Sequence, residues 1–120
     1  MEARVAAAIG IMRELLANQL SVVTLSRRVR LSPTRLRQLF KKETGRSPMQ
    51  YLRDLRMQHA EHLLRSTFLS VKEVAFVSGV KDLSNFVREF KRRFGLTPKQ
   101  FRAWSERSLK RPAKTGTDVD

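Results

Sequence analysis

Apolar side chains recur three and four positions apart along this chain. Val5, Ala8, Ile9, Met12, Leu15 and Leu16 form one stripe over 3–18, the spacing that keeps side chains on one face of a helix. The same spacing predicts helices over about 22–29, 33–43, 48–66, 71–78, 83–94 and 98–107. The longest of them carries Tyr51, Leu52, Leu55, Met57, Leu63 and Leu64. No segment alternates in the manner of a strand, so the pattern predicts an all-α fold of seven helices. Start signals agree with it. Ser32, Ser47 and Thr97 each precede a proline, and a hydroxyl cap followed by proline at the first helical position satisfies one orphan N–H and supplies none. Ser21 caps the second helix, and Ser70-Val71-Lys72-Glu73 reads as a capping box. Gly45 and Gly95 follow basic helical ends, where a left-handed C-terminal cap suits glycine. From Lys110 the chain turns polar, with Pro112 and Gly116, and is expected to be a loose tail.

The pattern also repeats. Ser21-Val22 returns as Ser70-Val71, Leu25 as Val74 and Leu31 as Val80, at an offset of 49. After one inserted residue, Lys81, the offset is 50: Ser32 matches Asp82, Leu36 matches Phe86, and Phe40-Lys41 matches Phe90-Lys91. Gly45, Pro48 and Tyr51 then match Gly95, Pro98 and Phe101. Each copy is a short helix, a tight turn and a longer capped helix, the layout of a helix-turn-helix whose second helix can enter a major groove. Two copies are too few for a solenoid, which needs about three to bury its faces.

Charge sharpens this reading. The 120 residues hold 25 Lys+Arg against 11 Asp+Glu, a net charge of +14, with 41% hydrophobic residues. That is enough apolar residue for a core, and the surplus charge attracts nucleic acid first and anionic membrane second. In the helix at 33–43, Leu36, Leu39 and Phe40 face inward and leave Thr34, Arg37, Gln38 and Lys41 outward. In the helix at 83–94, Phe86, Phe90 and Phe94 face inward and leave Ser84, Val87, Arg88 and Lys91 outward. Each outward face joins a guanidinium to hydroxyl or amide groups that read base edges, and ends in a lysine suited to a phosphate.

Ala75, Gly79, Phe86, Arg88, Phe90, Lys91-Arg92, Gly95, Thr97-Pro98 and Phe101-Arg102 stand at particular intervals. Together with Leu31-Ser32-Pro33-Thr34-Arg35-Leu36, Phe40-Lys41-Lys42-Glu43-Thr44-Gly45 and Ser47-Pro48, they resemble the signature of the AraC/XylS family of bacterial transcription regulators. The likeness covers about residues 5–105. It implies two homeodomain-like helix-turn-helix subdomains, 1–47 and 67–107, joined by a long linker helix at 48–66, with a flexible tail at 108–120. It implies that the two recognition helices enter successive major-groove segments of double-stranded DNA. Base-reading positions then fall on Thr34, Arg35, Arg37 and Gln38, and on Leu83, Ser84, Asn85 and Arg88. Phosphate contacts are expected from Lys41, Lys42, Lys91 and Arg92, and from the helix starts at Ser32, Ser47 and Thr97. Val80 stands where the family usually has Phe or Tyr, and Leu83 where it often has proline or a polar residue. The first helix is therefore expected to carry most of the sequence specificity.

The resemblance extends to the family's short stand-alone activators. It implies a cytoplasmic, nucleoid-associated monomer on DNA, with RNA polymerase a candidate second partner and no membrane. A DNA-binding fragment of a longer, ligand-responsive regulator fits the same residues. Two rivals rest on the charge alone: an architectural, sequence-tolerant DNA binder, and a protein-interaction module. No catalytic array or phosphate loop is evident, so no enzyme activity and no cofactor are expected. The chain has no cysteine, which excludes disulfides, cysteine-ligated metal and the family's fused alkyl-acceptor repair chemistry. His59 and His62 lack a third ligand and read as solvated surface; Tyr51 and Trp104 read as core.

Overall fold

The computed structural model describes residues 1–109, and among them there are seven helices and no strand. They are α1 (Ala3–Glu14), α2 (Val22–Arg28), α3 (Pro33–Thr44), α4 (Pro48–Ser66), α5 (Val71–Val77), α6 (Leu83–Phe94) and α7 (Pro98–Leu109). Of the expected tail over 108–120, residues 108–109 belong to α7 and the rest lies outside the described residues.

Six of the seven keep their predicted bounds to within one or two residues. The exception is α1, which ends at Glu14 rather than at residue 18. Its missing turn has a tertiary cause. The carbonyls of Leu16 and Asn18 accept hydrogen bonds from Arg56 Nε and Nη2, at 3.0 and 2.8 Å, which fixes these residues as a loop. Leu15 and Leu16 remain half-buried, so the apolar stripe is genuine although its last turn is not helical.

The helix starts follow the capping chemistry of the sequence. Ser21, Ser32, Ser47 and Ser70 side chains each accept from a backbone N–H in the first turn, and Ser47–Gln50 and Ser70–Glu73 complete capping boxes. Thr97 and Gln100 exchange the same two bonds at the start of α7. Two further caps are acidic. Asp82 Oδ1 accepts from the Asn85 N–H at 3.0 Å, and Glu2 Oε1 accepts from the N–H groups of Arg4 and Val5.

Burial produces two cores that share one helix. Val5, Met12, Leu25, Leu36, Phe40 and Leu52 lie in the first. Met57, Leu64, Val74, Phe86, Phe90 and Phe101 lie in the second. Leu52 and Leu55 of α4 belong to the first cluster, and Met57, Ala60 and Leu64 to the second. The linker is thus a wall of both subdomains, and the changeover falls at Arg56. Phe86 and Phe90 are fully buried, and truncating either to alanine should cost ~3–5 kcal/mol.

Three side chains depart from expectation. Trp104 is 49% exposed, its ring 5.7 Å from that of Phe101 at the edge of the second core. Phe94 is 37% exposed, at the rim of α6, and packs 4.5 Å from Phe90. Val87, expected outward, instead packs partly buried against the second core. All three lie near a helix-face edge, where spacing by itself does not fix which side is covered. Tyr51 does pack inward, edge-on to Phe40 at 5.4 Å.

Candidate nucleic-acid interface

Both helix-turn-helix units close through the same backbone device. The Leu31 N–H donates to Ser26 O, and the equivalent Val80 N–H donates to Ala75 O, both at 2.9 Å. The residue before each passes through the left-handed region, Arg30 at φ 60° and Gly79 at φ 88°. Each turn delivers the chain to a capped helix start, at Ser32 and Asp82.

On α3, Leu36, Leu39 and Phe40 are buried, which leaves Thr34, Arg35, Arg37, Gln38, Lys41 and Lys42 exposed together. On α6, burial of Phe86 and Phe90 leaves Leu83, Ser84, Asn85, Arg88, Lys91 and Arg92 exposed. Among the described residues, Arg35, Arg37 and Arg88 make no ion pair, so their donors are available to an outside acceptor. Leu83 is 40% exposed at the first turn of α6 and offers an apolar contact where a polar reader was a possibility. Asn85 stands apart from its neighbours. It lines a groove of about 610 Å³ between α4 and the α5–α6 turn, which Arg53 and Lys81 also line.

The expected phosphate ligands divide. Lys42 and Lys91 extend from exposed positions, while Lys41 Nζ donates to Gly45 O at 3.2 Å. Arg92 is engaged within the molecule, its Nη2 donating to both Glu89 oxygens at 2.6 Å. The oxygens of Ser32, Ser47 and Thr97 are taken by their caps, leaving only their O–H groups to donate outward.

A set of charged residues lies behind these faces. Asp54, on α4, pairs with Arg46 Nε at 3.0 Å and with Arg93 Nη1 at 2.6 Å. Arg93 Nε also donates to Glu89 Oε2 at 2.7 Å. Hydrogen bonds from Arg92 and then Arg93 hold the Glu89 carboxyl below its usual range. Burial works against the Arg93 charge, but bonds to Glu89 and Asp54 outweigh it and raise its pKa. The i,i+3 and i,i+4 spacings of Glu89 to Arg92 and Arg93 give a sequence signal for those two pairs. Asp54 to Arg93 has none, being a contact across 39 residues. Arg102, part of the signature in the sequence, has a structural task. Its guanidinium donates to the Leu64 and Thr67 carbonyls and so closes the C-terminal end of α4.

A helix-turn-helix domain family model matches residues 25–103, covering both units and the helix between them. A solved structure of a transcriptional regulator from Chromobacterium violaceum, described as AraC-type, superposes with a TM-score of 0.81 at 26% identity. That likeness covers 86% of this chain and 92% of that one. This chain belongs to the AraC-type helix-turn-helix family of DNA-binding regulators. The DNA-binding domain of AdpA, a global transcriptional factor solved in complex with a target DNA, is similar with a TM-score of 0.81 at 30% identity. The match covers 91% of this chain and 96% of that domain. The transcriptional activator RhaR of Enterobacter sp. (strain 638) is 45% identical over 75 residues, 62% of this chain. The chain spans 26% of the RhaR length. The family consists of DNA-binding regulators rather than enzymes. Among the described residues no helix is long and apolar enough to cross a membrane.

Proposed function

We propose that this AraC-type domain is a sequence-specific reader of double-stranded DNA that acts in transcription, as an activator. It inserts α3 and α6 into successive major-groove segments on one face of the duplex. Thr34, Arg35, Arg37 and Gln38 read the first segment, and Leu83, Ser84, Asn85 and Arg88 the second. Lys41, Lys42, Lys91 and the starts at Ser32, Ser47 and Thr97 hold phosphates, with Arg92 joining them once released from Glu89. The observation that carries this reading is the repeated pairing of a buried aromatic-aliphatic face with an exposed face of unpaired guanidinium, amide and hydroxyl groups. The likeness to a domain solved on its target DNA supports the same docking. RhaR, an activator, supports the direction of regulation. The domain binds as a monomer, with RNA polymerase as the second partner, in the bacterial nucleoid.

Selection of sites from random duplexes tests it, at about 150 mM salt with competitor DNA so that phosphate attraction alone does not enrich. Two conserved blocks about ten base pairs apart are the expected result. A single block restricts base reading to one helix. No enrichment overturns specific reading and leaves the sequence-tolerant binder that a net charge of +14 would also serve.

A further inference from the structure

Two readers on one duplex need a fixed separation, because each base pair inserted between their segments turns the second by about 35° around the axis. Helix α4 joins them, and on it Asp54 and Arg56 are two positions apart, so they leave the helix on nearly opposite sides. Asp54 Oδ2 meets Arg46, in the segment directly after α3, at 3.0 Å, and its Oδ1 meets Arg93, in the last turn of α6, at 2.6 Å. One carboxylate therefore ties the C-terminal ends of both recognition helices to the same point on the linker. Its side chain is 19% exposed, and that of Arg93 is 24% exposed, so the pair is shielded more than a surface bridge. On the opposite side, Arg56 holds the Leu16 and Asn18 carbonyls of the first subdomain, while Gly79, in the turn of the second, presses on Leu16 and Arg56.

We propose that Asp54 is a positioning residue which, bridging Arg46 and Arg93, locks the relative setting of α3 and α6 and so makes the domain selective for the spacing between its two DNA segments. Asp54 touches no base in this arrangement; it acts through the two arginines. The inference rests on the two-reader function proposed above.

The test is a spacing series. The selected site is rebuilt with one base pair removed, unchanged, and with one or two added, and binding is measured for the wild type, Asp54→Asn and Asp54→Glu. The wild type should lose roughly tenfold or more for a single base-pair change, the scale set by the cost of deforming DNA. Asp54→Asn should bind a duplex holding one block at least as well as the wild type does, while the penalty for altered spacing shrinks to within a few-fold. Asp54→Glu, which can still span both arginines, should restore the penalty. Removing a negative charge also raises DNA affinity at every spacing alike, and a uniform change of that kind leaves the ratio untouched. An unchanged ratio in Asp54→Asn therefore overturns the proposal and leaves the two-reader function standing. A wild type indifferent to spacing overturns both.

Discussion

Gly79 lies so close to Arg56 that a β-carbon on it would stand 2.7 Å from Nε, and it would fall on the carbonyl oxygen of Leu16. Its counterpart in the first repeat, Arg30, has the same left-handed backbone but an exposed side chain. The difference is the junction: the second turn packs against Leu16 and Arg56, whereas the Arg30 side chain faces solvent. Gly79→Ala should therefore add a collision to the strain of a positive φ, and destabilise by about 2–4 kcal/mol. Arg30→Gly should relieve strain and stabilise by up to ~1 kcal/mol. Thermal melting of the two variants checks both signs, and equal effects would sink the account.

Ser78, next to that glycine, is fully buried, and its Oγ has no hydrogen-bond partner. The equivalent residue in the first repeat is the buried Val29. Ser78→Ala removes an unsatisfied hydroxyl and should leave stability unchanged or raise it by up to ~1 kcal/mol. Urea unfolding measures this. A loss greater than ~1 kcal/mol would mean that the hydroxyl has an unseen partner.

Reading by α3 and α6 should not be equal. Arg37→Ala or Gln38→Ala is expected to relax base preference more than Arg88→Ala, since Leu83 gives α6 an apolar lead residue. Repeating the site selection with each variant gives the comparison, and equal relaxation refutes it.

Lys91 and Arg92 are neighbours with different engagements. Lys91→Ala should lower the steepness of the salt dependence by about one unit, as loss of one phosphate contact does. Arg92→Ala should lower it less, because Glu89 already holds that guanidinium. Binding titrations over a range of salt decide it, and the reverse order would show that DNA draws Arg92 away from Glu89 completely.

Glu89 gives the fold an acid-side pH dependence. Its carboxyl titrates below the unfolded value because Arg92 and Arg93 bond its charged form. A depressed carboxylate contributes its stability above the unfolded pKa of ~4.3 and loses it as pH falls through the lower folded value. Melting temperature should thus fall more between pH 5 and pH 3 in the wild type than in Glu89→Gln. Parallel curves for the two proteins would exclude the pairing in solution.

Much of this molecule is local and was therefore open to a reading of the chain. Helix positions follow from three- and four-residue spacing, and starts from side chains that bond backbone within three residues. The two recognition faces follow from the repeat, since burying Leu36 and Phe40, or Phe86 and Phe90, leaves a definite set of residues outside. Trp104, Phe94 and Val87 escaped because each sits where a helix face turns from covered to bare, and whether a neighbour covers it is decided elsewhere in the fold.

By itself the sequence determined seven helices, two helix-turn-helix copies and the cationic faces they present, because these depend on periodicity, capping and charge within a few residues. The tertiary structure alone decided where α1 stops, why Gly79 is glycine and how the two units are set against each other. Those outcomes rest on Arg56 reaching Leu16 and on Asp54 reaching both Arg46 and Arg93. Most of these are contacts between groups about forty residues apart, which no local pattern encodes and which exist only once α4 has entered both cores.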